Sequence, residues 1–169
     1  EILMNLLFDL DNTLINSEKA RQLRTGRQWA KVYAQIPNFD PYDDLIDTLI
    51  DVNNKHPIYI ITSSPGSYAQ RVCSAWNIPH QGLTAYHDTA NHKPHPQPFS
   101  YTLERYGLDP DECISFGDDV KDIVASQKAG IRSVACLWGA VDVKTLVEAK
   151  ADHILNTVEE LRPFLQSLE

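Results

Sequence analysis

Short apolar runs alternate with stretches of helical spacing along nearly the whole chain. The runs Ile2–Phe8, Ile58–Ile61, Leu83–Tyr86, Cys113–Phe116, Val134–Leu137 and His153–Leu155 have the length and composition of buried strands. Between them the pattern predicts helices near Ser17–Gln35, Tyr42–Asn54, Ser67–Trp76, Pro98–Tyr106, Asp122–Ala129, Val143–Ala149 and Val158–Ser167. Several ends carry their own signals. Pro98 suits a first helical turn, Gly107 and Gly130 suit helix ends, and Thr157 with Glu160 has capping-box spacing. Alternation of this kind predicts an α/β fold, a three-layer α/β/α sandwich whose mostly parallel sheet is covered on both faces. With no repeat, low-complexity stretch or Gly/Ser linker in 169 residues, the natural count is one domain, residues 1–169.

Composition narrows the field without naming a function. Hydrophobic residues make up 43% and charged residues 22%, an ordinary globular balance that argues against disorder. The net charge of −8 argues against nucleic acid or an anionic membrane as a partner of the whole domain, though a local basic patch is compatible with it. The longest apolar run, Ile2–Phe8, is too short to span a bilayer, and the N-terminus lacks the layout of a secretory signal. Glu1 in place of Met suggests a trimmed start with a segment before it. Cys73, Cys113 and Cys136 are odd in number and form no CxxC pair, so they read as reduced core residues of a cytoplasmic protein.

The polar residues that follow the strands say more. Asp9 and Asp11 follow the first run, Thr62 and Ser63 the second, and Asp118 and Asp119 the run Cys113–Phe116. In an open parallel sheet the carboxyl ends of the strands share one edge, and ligands bind there. Each residue alone is as well explained as a turn former or helix cap. Together they would meet in one crevice.

Two carboxylates spaced as Asp9 and Asp11 are repel each other when both are ionised, and a hard divalent cation such as magnesium relieves that repulsion. A carboxylate can also attack phosphorus while its neighbour moves the leaving-group proton. Lys93, which Pro94 biases toward extended geometry, could balance phosphoryl charge; the plainer alternative is a solvated lysine. Thr62 and Ser63 could donate to phosphate oxygens. Asp118 and Asp122 stand one helical turn apart, so one could bind metal while the other orients Lys93 or a water, or Asp122 could simply cap a helix.

In their order these elements resemble the four signature motifs of the haloacid-dehalogenase superfamily. They stand here as Asp9-Leu10-Asp11-Asn12-Thr13, Ile58-Tyr59-Ile60-Ile61-Thr62, Lys93-Pro94 and Gly117-Asp118-Asp119-Val120-Lys121-Asp122. The stretch from Asp122 to Ile131 is also similar to the phosphoglycolate phosphatase-like group. The resemblance implies a Rossmann-like fold and a magnesium-dependent phosphatase. In it Asp9 becomes an aspartyl phosphate, and Asp11 protonates the leaving oxygen and later activates water. It further implies magnesium on the Asp9 carboxylate, the Asp11 backbone carbonyl and Asp118, with Thr62 and Lys93 on the phosphoryl group. Asp122 would act behind them, and either Asp119 or Asp122 supplies the second acidic role. Dehalogenases of the superfamily lack the second aspartate, so Asp11 favours phosphorus chemistry.

Only 53 residues separate Asp9 from Thr62, and residues 15–40 hold too little for a packed helical cap. A capless or minimally capped enzyme with an open site is expected, one that accepts a large phosphorylated substrate or is closed by a partner subunit. The alternatives are a phosphotransferase or phosphomutase of the same superfamily and a receiver-like signalling domain, whose lysine would come after the acids rather than before them. Along Ser17–Gln35 and just beyond it, Trp29, Tyr33 and Ile36 form an apolar stripe, and Arg21, Arg24 and Lys31 share another face. Those cations are either a solvated helix surface or a device near the site mouth that collects an anionic substrate.

Overall fold

The computed structural model describes residues 4–169. Six strands form one sheet in the order β3-β2-β1-β4-β5-β6, with every neighbouring pair parallel. They are β1 (Asn5–Phe8), β2 (Ile58–Ile61), β3 (Gly82–Thr84), β4 (Cys113–Gly117), β5 (Arg132–Cys136) and β6 (His153–Leu155). Ile2 and Leu3, the expected start of the first strand, lie outside the described residues. Of the stretch Leu83–Tyr86, only Leu83 and Thr84 are in a strand; Tyr86 opens a 3-10 turn, Tyr86–Asp88.

Both faces of β1 and β2 are buried, which is why these strands are almost wholly apolar. Their side chains alternate between two cores, as the pleat requires. Leu6, Phe8, Ile58 and Ile60 enter the larger core, and Leu7, Tyr59 and Ile61 enter a second one with Phe99, Ala125 and Ile131. The rings of Phe8 and Phe116 stack across neighbouring strands at 4.4 Å.

Helices α1 (Arg21–Thr25), α2 (Trp29–Gln35) and α3 (Leu45–Val52) lie between β1 and β2. The rest are α4 (Gly66–Trp76), α5 (Gln97–Tyr106), α6 (Val120–Lys128), α7 (Val143–Glu148) and α8 (Leu161–Gln166). Gly107 and Gly130 follow α5 and α6 at φ +63° and +76°, the left-handed geometry that ends helices. No helix among the described residues is long and apolar enough to cross a membrane.

The largest departure from expectation is Ser17–Gln35, which is not one helix. After a 3-10 turn at Glu18–Ala20, α1 ends in a Schellman motif: Gln28 N–H donates to Leu23 C=O at 2.9 Å and Arg27 N–H to Arg24 C=O at 3.0 Å. Arg27 takes the left-handed position at φ +54°. Periodicity misses this stop because the glycine that usually marks it stands one residue early, at Gly26. The helix expected from Tyr42 begins only at Leu45, after Asp44 at φ +61°. Ala20, Val32, Ile36 and Phe39 of the insert join the same core as Leu6 and Phe8.

Candidate active site

β1 and β4 lie side by side while the chain departs from them in opposite directions, so a crevice opens between their carboxyl ends. Asp9 N–H donates to the Phe116 carbonyl at 2.9 Å, which fixes the first residue after β1 against β4. Lys93 arrives from the loop after β3, where the Lys93–Pro94 peptide is cis. Its ammonium donates to the Ile61 carbonyl at 2.6 Å, Asp122 Oδ1 at 2.7 Å and Asp9 Oδ1 at 3.2 Å. These contacts use all of its protons. Lys93 is only 9% exposed. Burial works against its charge, but Asp122 and then Asp9 outweigh that effect and raise its pKa.

Asp118 faces Asp9 across the crevice. Burial first, and repulsion from Asp9 second, lift its carboxyl far above the usual range, while Thr13 donates a hydroxyl to its Oδ1 at 2.9 Å. Oxygens of Asp9, Asp118 and Asp122 all lie within 4.8 Å of one another. Asp122 has both oxygens engaged, one by Lys93 and the other by the Asp119 N–H at 3.1 Å. Gly117 makes room for it, since a Cβ there would overlap the Asp122 side chain. Asp9 and Asp118 are thus the carboxylates with an oxygen to spare. Two such acids repelling each other in a buried crevice are a donor set that fits a hard divalent cation.

Asp11 looks the other way. Its Oδ1 accepts from Tyr68 at 2.6 Å, Ser17 at 2.7 Å and Arg24 at 2.5 Å, and its Oδ2 accepts from Ser64 at 3.1 Å. Tyr68, on the buried face of α4, has its pKa raised by burial and by Asp11, which keeps its hydroxyl a donor. The Arg24 side chain is 14% exposed and its guanidinium lies 6.0 Å from the centre of the Tyr68 ring. Burial disfavours the Arg24 charge, and Asp11, Tyr68 and Asp9 together more than restore it.

Thr62 is buried, and its hydroxyl accepts from the Ser64 N–H at 3.1 Å. Ser63 stands exposed beside it on the cavity wall. Asp119 is exposed and caps α6, accepting from the Lys121 N–H at 2.9 Å, so Asp122 is the acid that holds Lys93. The cavity over these residues measures about 660 Å³, and Asp9, Asp11, Thr62, Ser63, Lys93 and Asp118 all line it. Of the expected cationic face, Arg21 and Arg24 line the cavity and Lys31 does not. The break at Arg27 turns α2, and Lys31 with it, out of register with α1. Ser17, Ser64 and Tyr68 were not expected in the site, and Thr13, part of the first motif, had no role assigned. Ser64-Pro65 ahead of α4 was the one local signal, marking a helix start at a strand end.

A carboxylate held against an ammonium at the base of a cavity, with further acids to take a cation, can act as a nucleophile toward an anionic electrophile. The family model for haloacid dehalogenase-like hydrolases matches residues 21–136. A phosphoglycolate phosphatase from Xylella fastidiosa is 37% identical over 82 residues, 47% of this chain and 36% of the relative. A pyrophosphatase from Oceanobacillus iheyensis is 28% identical over 79 residues, 47% of this chain and 37% of the relative. The matches thus span little more than a third of the length of these curated relatives. The fold is similar to that of a predicted phosphoglycolate phosphatase from Haemophilus somnus, with a TM-score of 0.83 at 19% identity over 99% of both chains. It is also similar to a hydrolase from Streptococcus pneumoniae, with a TM-score of 0.77 at 20% identity over 96% of this chain and 98% of that one.

Proposed function

The chain belongs to the haloacid dehalogenase-like hydrolase family, and on that premise we propose that it is a magnesium-dependent phosphatase. It would hydrolyse a phosphomonoester through an aspartyl phosphate on Asp9. The observation that carries this reading is the Asp9–Lys93 pair at 3.2 Å beside a second acid, Asp118, at the strand ends.

Asp9 attacks phosphorus and the bond to the ester oxygen breaks. Asp11 gives a proton to that departing oxygen. In the second step Asp11 takes a proton from water as the water attacks the phosphorus of the aspartyl phosphate, releasing phosphate and restoring Asp9. Lys93 balances the charge of the phosphoryl group, and Asp122 keeps Lys93 in place. Thr62 and Ser63 supply hydrogen bonds to its oxygens. Magnesium, held by Asp9, Asp118 and the backbone carbonyl of Asp11, would neutralise negative charge as the phosphoryl group transfers.

Asp11 supports phosphorus chemistry over carbon–halogen cleavage, and the names of the curated relatives point the same way. The short insert supports an open site that water reaches, which favours hydrolysis over transfer to a second sugar. It also leaves room for a large phosphorylated substrate. The test is a panel of phosphomonoesters assayed with and without magnesium on the parent chain and on Asp9→Asn. Magnesium-dependent turnover is expected from the parent, and a loss of about 10³-fold or more from the variant. No turnover on any ester, or more than about a tenth of parent activity in Asp9→Asn, overturns the proposal.

A further inference from the structure

A phosphoryl group over Asp9 fills only the floor of the 660 Å³ cavity, a volume that suits a whole small molecule. In a chain of net charge −8, the cavity lining also carries Arg21, Arg24, Arg27 and Lys121. Two of these are already engaged. Arg21 pairs with Glu18 at 3.0 Å, and Arg24 is committed to Asp11. Arg27 and Lys121 are exposed and make no ion pair among the described residues. Of the cavity-lining carboxylates nearest Lys121 in the chain, Asp119 caps α6 and Asp122 holds Lys93.

Arg27 also carries a backbone cost. It holds the left-handed position of the Schellman motif at φ +54°, where glycine is the favoured residue. Gly26, directly before it, sits at φ −80°, a conformation that needs no glycine, and a Cβ there would press mainly on the end of the Gln28 side chain at 3.2 Å. Exchanging the two would relieve the strain, so the helix stop alone does not account for an arginine at 27. Strain kept on a cavity wall points to a use for the side chain.

We propose that Arg27 and Lys121 form a second anion-binding subsite, so that the substrate is a phosphomonoester with a further anionic group, carboxylate or phosphate, remote from the reacting phosphorus. This rests on the phosphatase reading above but is tested apart from it, with probes that are not hydrolysed. Alkylphosphonates of three to five carbons are compared by calorimetry, in magnesium, with phosphonocarboxylates and bisphosphonates of equal length.

The parent chain is expected to bind at least one dianionic-ended series about tenfold tighter than the alkyl series, and which series it is separates carboxylate from phosphate. Arg27→Gly and Lys121→Gln should each reduce that preference about threefold or more, and added salt should weaken it. Arg27→Gly removes the left-handed strain, so its Tm at or above the parent's separates lost binding from lost folding. Lys121→Gln changes an exposed side chain and serves as the second variant. Equal affinity of the parent for charged and uncharged ends overturns the subsite, as does a preference unchanged within about twofold in both variants. Absence of ester turnover overturns the phosphatase reading alone, whatever the phosphonates do.

Discussion

Asp9 and Asp11 stand two residues apart and live in opposite surroundings. Asp9 is met by an ammonium and two acids carried by the sheet edge and the loop after β3. Asp11 is met by three hydroxyls and a guanidinium, from the insert and from the loop and helix after β2. The first environment gathers three acids around a single ammonium. The second is a hydrogen-bond cage already complete within the chain. On the proposed mechanism this contrast suits the two roles, because a nucleophile needs its negative charge screened and a proton carrier needs its direction fixed.

If that contrast is sound, metal matters on one side only. Chelation should eliminate turnover, and magnesium should restore it where calcium does not, because calcium's larger and looser shell misplaces reacting oxygens. In thermal melts magnesium should raise Tm, an effect lost in Asp118→Asn and kept in Arg24→Gln. Loss of the shift in both variants would break the comparison.

Next in size is Lys93→Met, which leaves Asp9, Asp118 and Asp122 crowded without their ammonium. Turnover should drop by about 10³-fold or more. Denaturant unfolding without metal should show a loss of about 3–5 kcal/mol, the cost of breaking a buried ion pair from one side. A variant as stable as the parent would mean the three acids are less strained than their geometry implies.

Smaller effects belong to the Asp11 cage. Arg24→Gln or Tyr68→Phe removes one hydrogen bond to a charged group, worth about 1.5–3 kcal/mol, so kcat for an alkyl ester should fall about 10- to 100-fold. Aryl phosphates, whose leaving groups need no proton, should lose less. Equal losses on both ester types would mean that the cage shapes the site without directing a proton.

His56 lies outside both environments and provides the smallest effect and a control. It is buried, its Nδ1 accepts from Met4 N–H at 3.1 Å, its Nε2 has no partner among the described residues, and burial lowers its pKa. Below about pH 6.5 the unfolded chain takes up a proton that the folded chain refuses. Stability therefore falls as pH drops through that range and is fully present above it. Replacing His56 with Gln should flatten this acid slope in denaturation midpoints and leave the metal and leaving-group effects untouched. An unchanged slope would assign the acid sensitivity to other groups.

What could be read in advance follows the same division. Asp9, Thr62 and Asp118 stand directly after strands, so strand placement alone carries them to one edge, and Lys93 was marked by the proline beside it. The choice between Asp119 and Asp122 needed the turn itself, because both fit a helix start and only Gly117 lets Asp122 close on Lys93. The Asp11 cage was not legible. Arg24 meets Asp11 from α1, whose stop is marked by Arg27, and an arginine in a glycine position leaves no mark in hydrophobic periodicity. Tyr68 reads as one more apolar residue of α4 until its hydroxyl is seen to end on a carboxylate.

The insert shares its core with the sheet, and this bears on the timing of turnover. Re-exposing Val32, Ile36 and Phe39 would cost roughly 1.5–3 kcal/mol for each side chain. Together that approaches the roughly 5–15 kcal/mol that holds an average domain folded. An excursion of the insert away from the sheet would be partial unfolding rather than the swing of a hinged lid. On the proposed reading, ligand would enter and leave past a stationary insert, and solvent viscosity should not slow turnover through movement of this segment.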